Sequence, residues 1–157
     1  MNTPIKRHIS LQPLSRDHHQ ALLLCWKIKK GLAANIDPER IKKYVDWFYS
    51  EHIIPHFEAE EKFIFPILSE DHELIKQALE EHKRLKSYFE ASSDLTTAFR
   101  NIETELEKHI RFEERVLFNE IQSSATAEQL QLFADAHKEG IFCENYEDEF
   151  WVTENGK

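Results

Sequence analysis

Four histidines and two glutamates stand at positions where the hydrophobic pattern of this sequence requires apolar side chains. They are His18, His56, Glu60, His82, His109 and Glu113. A carboxylate buried without a partner is costly or is neutralised by a shift of its pKa, so six such groups need compensation. A metal cation compensates neutral imidazoles and carboxylates together. Four histidines and two carboxylates suit a pair of iron or manganese ions.

Two of these histidines are followed by glutamate four residues later, at His56/Glu60 and His109/Glu113. Residues four apart lie on one face of a helix, one turn from each other, so such a pair can bind one ion or the glutamate can bridge two. A chain this rich in glutamate produces the spacing by chance as well. The spacing alone is therefore not decisive.

The two pairs belong to an internal repeat. Residues 56–68 read HFEAEEKFIFPIL and residues 109–121 read HIRFEERVLFNEI, and they align without a gap at the histidine, both glutamates, the basic residue and a phenylalanine. Each segment has a histidine on the preceding predicted helix, His18 in one half and His82 in the other. Two such halves facing each other would bring four histidines and two carboxylates together.

Apolar residues recur at helical spacing through most of the chain and predict four amphipathic helices. Gly31 marks the expected end of the first, Asp37 and Pro38 the start of the second, and polar breaks follow at 69–71 and 92–97. The apolar positions of the four helices cover about 11–32, 41–67, 75–89 and 99–121. Short connections favour an all-α, up-down-up-down four-helix bundle over about 11–122.

A C-terminal helical tail is predicted over about 126–151. Its helix is expected to continue to about Glu139, before Gly140, and its aromatic residues are expected to pack across the bundle: Phe142, Tyr146, Phe150 and Trp151. The chain contains no low-complexity segment or linker. Residues 1–157 are therefore predicted to form a single domain.

Charge and composition exclude several classes of partner. Lys and Arg number 20 against 29 Asp and Glu, a net charge of −9, so neither nucleic acid nor an anionic membrane is an expected partner. The strongly apolar run 21–26 is too short to span a bilayer, and no secretory signal follows the N-terminal basic residues. Cys25 and Cys143 form no CxxC motif. A cytoplasmic location without a disulfide framework is expected.

The sequence resembles the hemerythrin-like (HHE cation-binding) family over about residues 10–150. The segments that carry the resemblance are RDHHQALL around His18, HFEAEEKFIFPIL, LEEHKRL around His82 and HIRFEERVLF. The resemblance implies a non-haem di-iron four-helix bundle. It implies that the four histidines are iron ligands and that Glu60 and Glu113 bridge the ions. The expected cofactor is two iron ions with an oxo or hydroxo bridge, with manganese or zinc as alternatives.

One departure from the family pattern bears on function. Oxygen-carrying hemerythrins have two histidines four residues apart on the third helix, whereas Ala78 and Lys86 stand at that spacing from His82. The set of four histidines is more similar to bacterial members linked to iron handling, nitric oxide, oxidative stress or iron–sulfur repair. Dioxygen, peroxide, nitric oxide and iron handling stay open as roles. Whether the protein is an enzyme is also left open.

Several ligand assignments have alternatives. His19 is an alternative to His18, and Glu114 is an alternative to Glu113. His52, one turn before His56, is either a fifth ligand or a hydrogen-bond donor to a ligand. Glu61 and Glu114 are otherwise expected to be solvated. The remaining histidines are expected to be bystanders, with His72 in a cap region: His8, His72 and His137.

Two other function classes compete with a hemerythrin-like metal site. A ferritin-like site needs Glu-x-x-His twice, and none of the nine histidines has a glutamate three residues before it. A metal-free helical scaffold or interaction module is the alternative, but it leaves six ionisable groups on apolar helix faces unexplained. Neither a protein partner nor an oligomeric state can be identified from the sequence.

Overall fold

A computed structural model describes residues 6–137 and 142–152, and within these residues it contains helices and no strand. Helix α1 spans Gln12–Ala33 after a 3₁₀ turn at Ile9–Leu11. Helix α2 begins at Pro38, α3 spans Glu73–Phe89, α4 begins at Leu95 and α5 spans Ala127–Ala136. Helices α1 to α4 pack as a bundle, which confirms the predicted all-α fold. No helix in the described ranges is long and apolar enough to cross a membrane.

Helices α2 and α4 change their hydrogen-bond pattern along their length. The parts of α2 are Pro38–Phe48 (α), Tyr49–Ile53 (π), Ile54–Ala59 (α), Glu60–Ile64 (π) and Phe65–Ile67 (3₁₀). The parts of α4 are Leu95–Phe112 (α), Glu113–Leu117 (π) and Phe118–Ser124 (α). A π segment thus begins at the first glutamate of each repeat, Glu60 and Glu113. Such segments are frequent at functional sites.

Helix α1 does not stop at Gly31, so that prediction is wrong. The helix runs to Ala33, and Asn35 then adopts a left-handed conformation with φ 57°. The Ile36 N–H donates to the Gly31 carbonyl at 3.0 Å, which closes the helix end. Gly31 has a different role, because a Cβ at this position would lie 2.7 Å from the ring of Phe150. It gives the C-terminal segment room to approach.

The C-terminal segment is only partly as predicted. The tail helix ends at Ala136, a few residues before the predicted end at about Glu139. Gly140 lies outside the described residues, and residues 142–152 are not helical. Phe150 and Trp151 are buried and Phe142 is partly buried against the bundle. Tyr146 is 71% exposed, so the prediction that it packs across the bundle is wrong. The buried Lys27 ammonium group donates to the Tyr44 hydroxyl at 2.8 Å and to the Glu144 carboxylate, which ties the segment to α1.

The hydrophobic core consists of two clusters. One includes Ile28, Phe48 and Phe99, and the other includes Leu14, Phe118 and Phe133. Among residues 6–137 and 142–152, the buried polar residues other than Lys27 are the six residues singled out from the sequence. Each sits on a helix that contributes to the core, so the fold surrounds them with apolar side chains.

Candidate metal centre

Six side chains from four helices meet in the middle of the bundle. Helix α1 contributes His18 and α3 contributes His82, while α2 and α4 each contribute a histidine and a glutamate: His56, Glu60, His109 and Glu113. All six are buried, and neither glutamate has any exposed surface. The two-helix repeat in the sequence accounts for the matched contributions of the two halves.

The six residues form two overlapping groups, and both glutamates belong to both. One group also contains His18 and His56, and the other also contains His82 and His109. Within each group, one ligand atom from every residue lies within 4.8 Å of the others. Ligands on opposite sides of an ion with bonds of about 2.1 Å stand about 4.2 Å apart. The arrangement is therefore suited to two neighbouring ions with shared carboxylates.

The histidine Nε2 atoms and the glutamate oxygens converge in the middle of the cluster, but most of them do not form hydrogen bonds with each other. His82 Nε2 lies 3.1 Å from Glu60 Oε1, and His56 Nε2 lies 3.3 Å from Glu60 Oε2, yet neither contact has hydrogen-bond geometry. Among the described residues, the buried atoms without a hydrogen-bond partner include Nε2 of His56, His82 and His109, both oxygens of Glu60 and Oε2 of Glu113. Buried polar atoms nearly always have a partner. Imidazole nitrogens and carboxylate oxygens left in this way fit iron, manganese or zinc.

The outer nitrogen of each histidine contacts a carboxylate from a neighbouring helix. We call these four carboxylates the carboxylate ring: Glu114 to His18 at 2.6 Å, Asp17 to His56 at 2.9 Å, Glu61 to His82 at 2.7 Å and Glu81 to His109 at 2.7 Å. The pairs join α1 to α4, α2 to α1, α3 to α2 and α4 to α3, so they run completely around the bundle. An Nδ1–H that donates to a carboxylate leaves Nε2 available to a metal and fixes the orientation of the imidazole.

The carboxylate ring corrects one prediction and adds residues that the sequence pattern did not single out. Glu61 and Glu114 are not merely solvated, because each accepts a hydrogen bond from a central histidine. Asp17 and Glu81 are the added residues. A signal was present in the sequence, since these two residues immediately precede His18 and His82, while Glu61 and Glu114 immediately follow the central glutamates. Neighbours in a helix are rotated by about 100°, which directs them to the adjacent helix.

The structure places the alternative ligand residues in different surroundings. His19 is exposed on the outer face of α1, whereas His18 faces the centre. Glu113 lies in the cluster, and Glu114 lies on the outer side of His18. His52 belongs to neither group of possible ligands.

The remaining histidines have other roles. His8 and His72 accept hydrogen bonds from backbone N–H groups at the starts of helices, at 3.0 and 3.1 Å, which confirms the cap position predicted for His72. His137 is not a plain surface residue. Its ring stacks on Phe133, and its Nε2 lies 3.7 Å from Asp17.

Electrostatic interactions in the cluster favour charged forms of its members. Burial lowers the pKa of His109, but the carboxylates of Glu113 and Glu81 outweigh it and raise the pKa to about 10. The pKa values of His18, His56 and His82 are raised in the same way, against the effect of burial. Burial raises the pKa of Glu113, and the neighbouring histidines bring it well below its usual value. A metal ion that binds here displaces protons from the histidines.

A cavity of about 510 Å³ reaches this cluster from one side. Three of the central histidines line it, His18, His56 and His109. A small molecule can therefore approach the centre without separating the helices.

Comparison with known proteins supports the interpretation of the cluster as a metal site. The sequence model of the hemerythrin HHE cation binding domain matches residues 10–97, which is more than half of the chain. The matched range contains the first half of the repeat and His82, and it ends before His109 and Glu113. No curated protein and no solved structure matches the chain.

Proposed function

The chain belongs to the hemerythrin HHE cation-binding domain family, and from this premise we propose that its buried cluster binds two iron ions and a small reactive ligand. His18 and His56 hold one ion, and His82 and His109 hold the other. Glu60 and Glu113 bridge them. One observation supports this assignment above all, that both glutamates belong to both groups of converging atoms.

The ligand that we propose is dioxygen, a peroxide or nitric oxide. Four histidines and two carboxylates would leave coordination positions for such a molecule, and a di-iron pair held by them would supply redox chemistry. Iron handling is the other role in the proposal. For the location we propose the cytoplasm, a reducing compartment in which two cysteines far apart in the sequence stay as thiols.

The residues of the chain hold the ions and manage protons. The carboxylate ring accepts the Nδ1–H of each histidine, so every Nε2 is oriented towards the centre when a metal binds. The apolar side chains around the cluster limit access of water, which strengthens the interaction of the two glutamates with cations. The same glutamates compensate the positive charge of the ions in the core.

Metal analysis of purified protein tests the proposal. Protein from iron-supplied cells is expected to contain about two iron ions per chain, as in other carboxylate-bridged bundles. Glu60→Ala or Glu113→Ala removes a ligand of both ions, so each variant should lose both. Glu58→Ala is a matched control, because Glu58 lies on the same helix and is exposed.

The possible outcomes separate the candidate functions. Iron that survives either central substitution would contradict the bridging assignment. Manganese or zinc at the same stoichiometry would correct the identity of the metal. Protein that binds none of these metals would favour the metal-free scaffold.

A further inference from the structure

An arginine that precedes the first helix reaches the outer side of the metal centre. The side chain of Arg7 is only 14% exposed. Its Nη2 donates to the backbone carbonyl of Glu114 at 2.6 Å and lies 3.6 Å from the carboxylate Oε1 of the same residue. Glu114 is the member of the carboxylate ring that contacts His18 Nδ1. A residue distant in the sequence from α4 therefore holds the partner of one central histidine.

The contact with the backbone falls on the π segment of α4. In that segment the Phe118 N–H donates to the Glu113 carbonyl, five residues back. In an α-helix the same N–H would pair with the carbonyl of Glu114, four residues back. The π segment thus withdraws a donor from the carbonyl to which Arg7 donates. Because buried carbonyls need a partner, Arg7 favours the π conformation that begins at Glu113.

The carboxylate of Glu114 is held by several groups at once. Ser15 Oγ donates to its Oε2 at 2.8 Å, and His18 Nδ1 contacts the same oxygen at 2.6 Å. The guanidinium of Arg7 lies beside the other oxygen and 5.4 Å from the ring centroid of Phe118. The Phe118 ring stacks in turn on His18, at a centroid distance of 5.5 Å. The orientation of an imidazole depends on the partner of its Nδ1, so these contacts restrain His18.

The other half of the repeat provides an internal comparison. Glu61 stands at the repeat position of Glu114, and it is the ring partner of His82 at 2.7 Å. Within the described part of the chain, Glu61 forms no ion pair with a lysine or an arginine. The support from an arginine is therefore found on one side of the centre.

We propose that Arg7 is a positioning residue of the metal centre, because it fixes the π segment of α4 and the Glu114 carboxylate. Through these two contacts it holds His18 and Glu113 in place for an ion. The inference rests on the proposed function for the presence of the ions. It adds a residue from before the first helix to the site, and it makes the two ions unequal. The ion held by His18 depends on Arg7 more than the ion held by His82.

Attachment of the segment around Arg7 does not depend on the arginine side chain alone. Gln122 Nε2 donates to the Lys6 carbonyl at 3.1 Å, and the His8 N–H donates to Gln122 Oε1 at 3.1 Å. These backbone contacts stay available when the side chain of Arg7 is shortened. A substitution there should leave the segment docked and change the positioning of Glu114.

Titration of metal-free protein with cobalt(II) tests the inference, because ring N–H signals of histidines bound to cobalt are shifted and report each ligand separately. Arg7→Ala should lower the affinity of one site by about tenfold, the lower end of the effect of losing an outer partner of a ligand. It should also broaden one ring N–H signal through faster exchange with water. We assign that signal to His18, and its absence from His18→Ala checks the assignment.

Further variants separate positioning from a general structural effect. Arg7→Lys keeps the charge and a donor, so it should recover part of the affinity and of the signal. Arg7→Gln is a smaller change than alanine and should weaken the same site if Arg7→Ala does not fold. Arg115→Ala is the matched control, since Arg115 is an exposed arginine of the same π segment, and it should change neither measurement.

Each outcome bears on one proposal or on both. Unchanged affinity and an unchanged His18 signal in an Arg7 variant that binds two ions would overturn the inference and leave the di-iron proposal intact. Equal weakening of both sites without recovery in Arg7→Lys would show a general structural role and would overturn it as well. Wild-type protein that binds neither cobalt nor iron would refute the proposed function and the inference with it.

Discussion

Glu81 on α3 accepts a hydrogen bond from His109 Nδ1 on α4 at 2.7 Å. This contact orients a buried histidine of one helix by means of a carboxylate of the next, and three equivalent contacts continue the carboxylate ring around the bundle. The positions of the inner nitrogens are therefore linked to the packing of all four helices. A change in one pair should alter metal binding without removing any ligand atom.

Substitution of Glu81 tests this role directly. Glu81→Ala should weaken iron binding by about 10- to 100-fold, because loss of such a partner lets the imidazole rotate and lowers its basicity. Glu81→Gln retains an acceptor oxygen and should recover part of the affinity. Competition with an iron chelator measures the iron affinity of both variants. Glu80→Gln is the control at the neighbouring exposed position, and an effect of equal size there would show that the outer carboxylate has no specific role.

The stoichiometry of iron should distinguish ligands of one ion from ligands of both. His18 belongs to only one of the two groups, so His18→Ala should deplete one ion more than the other and leave about one iron per chain. His19→Ala, one residue along on the exposed face, should keep the full content. Iron analysis with Mössbauer spectroscopy resolves the two positions. Equal iron content in the two variants would contradict the assignment of His18 as a ligand.

The stability of metal-free protein should fall as the pH rises above about 6.5. The pKa of His109 is raised from 6.5 to about 10 in the folded chain. Its contribution to the free energy of unfolding is therefore complete below pH 6.5 and is lost as the pH approaches 10. Because the pKa of Glu113 is lowered, this residue also contributes to the stability of the folded protein. That contribution is present above pH 4.5 and is lost towards lower pH. Urea unfolding across this range should give a maximum between 4.5 and 6.5.

Metal-loaded protein provides the control for that pH dependence. Iron competes with protons for the same nitrogens, so iron affinity should rise with pH over the range in which the metal-free protein loses stability. A metal-free protein whose stability rises steadily from about pH 6.5 to about 9.5 would contradict the raised histidine pKa values.

Replacement of Gly31 should destabilise the protein, although glycine to alanine usually stabilises the interior of a helix. A Cβ at this position would lie 2.7 Å from Phe150, so Gly31→Ala should lower the free energy of unfolding by about 1–3 kcal/mol. In a Phe150→Ala background the same substitution should become neutral or favourable. Urea unfolding of the four proteins gives the coupling energy, and a penalty that is independent of Phe150 would show that the clash is not its cause.

The sequence by itself determined the helices and the six residues that the structure brings together in the buried cluster. Apolar residues at helical spacing identify the buried face of each helix, and a histidine or glutamate on that face can be recognised because it departs from the pattern. The internal repeat relates the two halves of the bundle through residue type and spacing alone. The presence of the hemerythrin HHE domain followed from the same segments and is confirmed.

Only the tertiary structure decided which side chains meet between helices. Helical periodicity places Glu61 and Glu114 on solvated faces, because periodicity describes one helix and not the histidine that a neighbour brings to its edge. Gly31 resembles a helix stop until Phe150, far away in the chain, is seen to pack on it. The cavity beside the centre likewise arises from side chains of separate helices and the C-terminal segment. Local spacing specifies faces, whereas contacts across faces depend on how the helices pack.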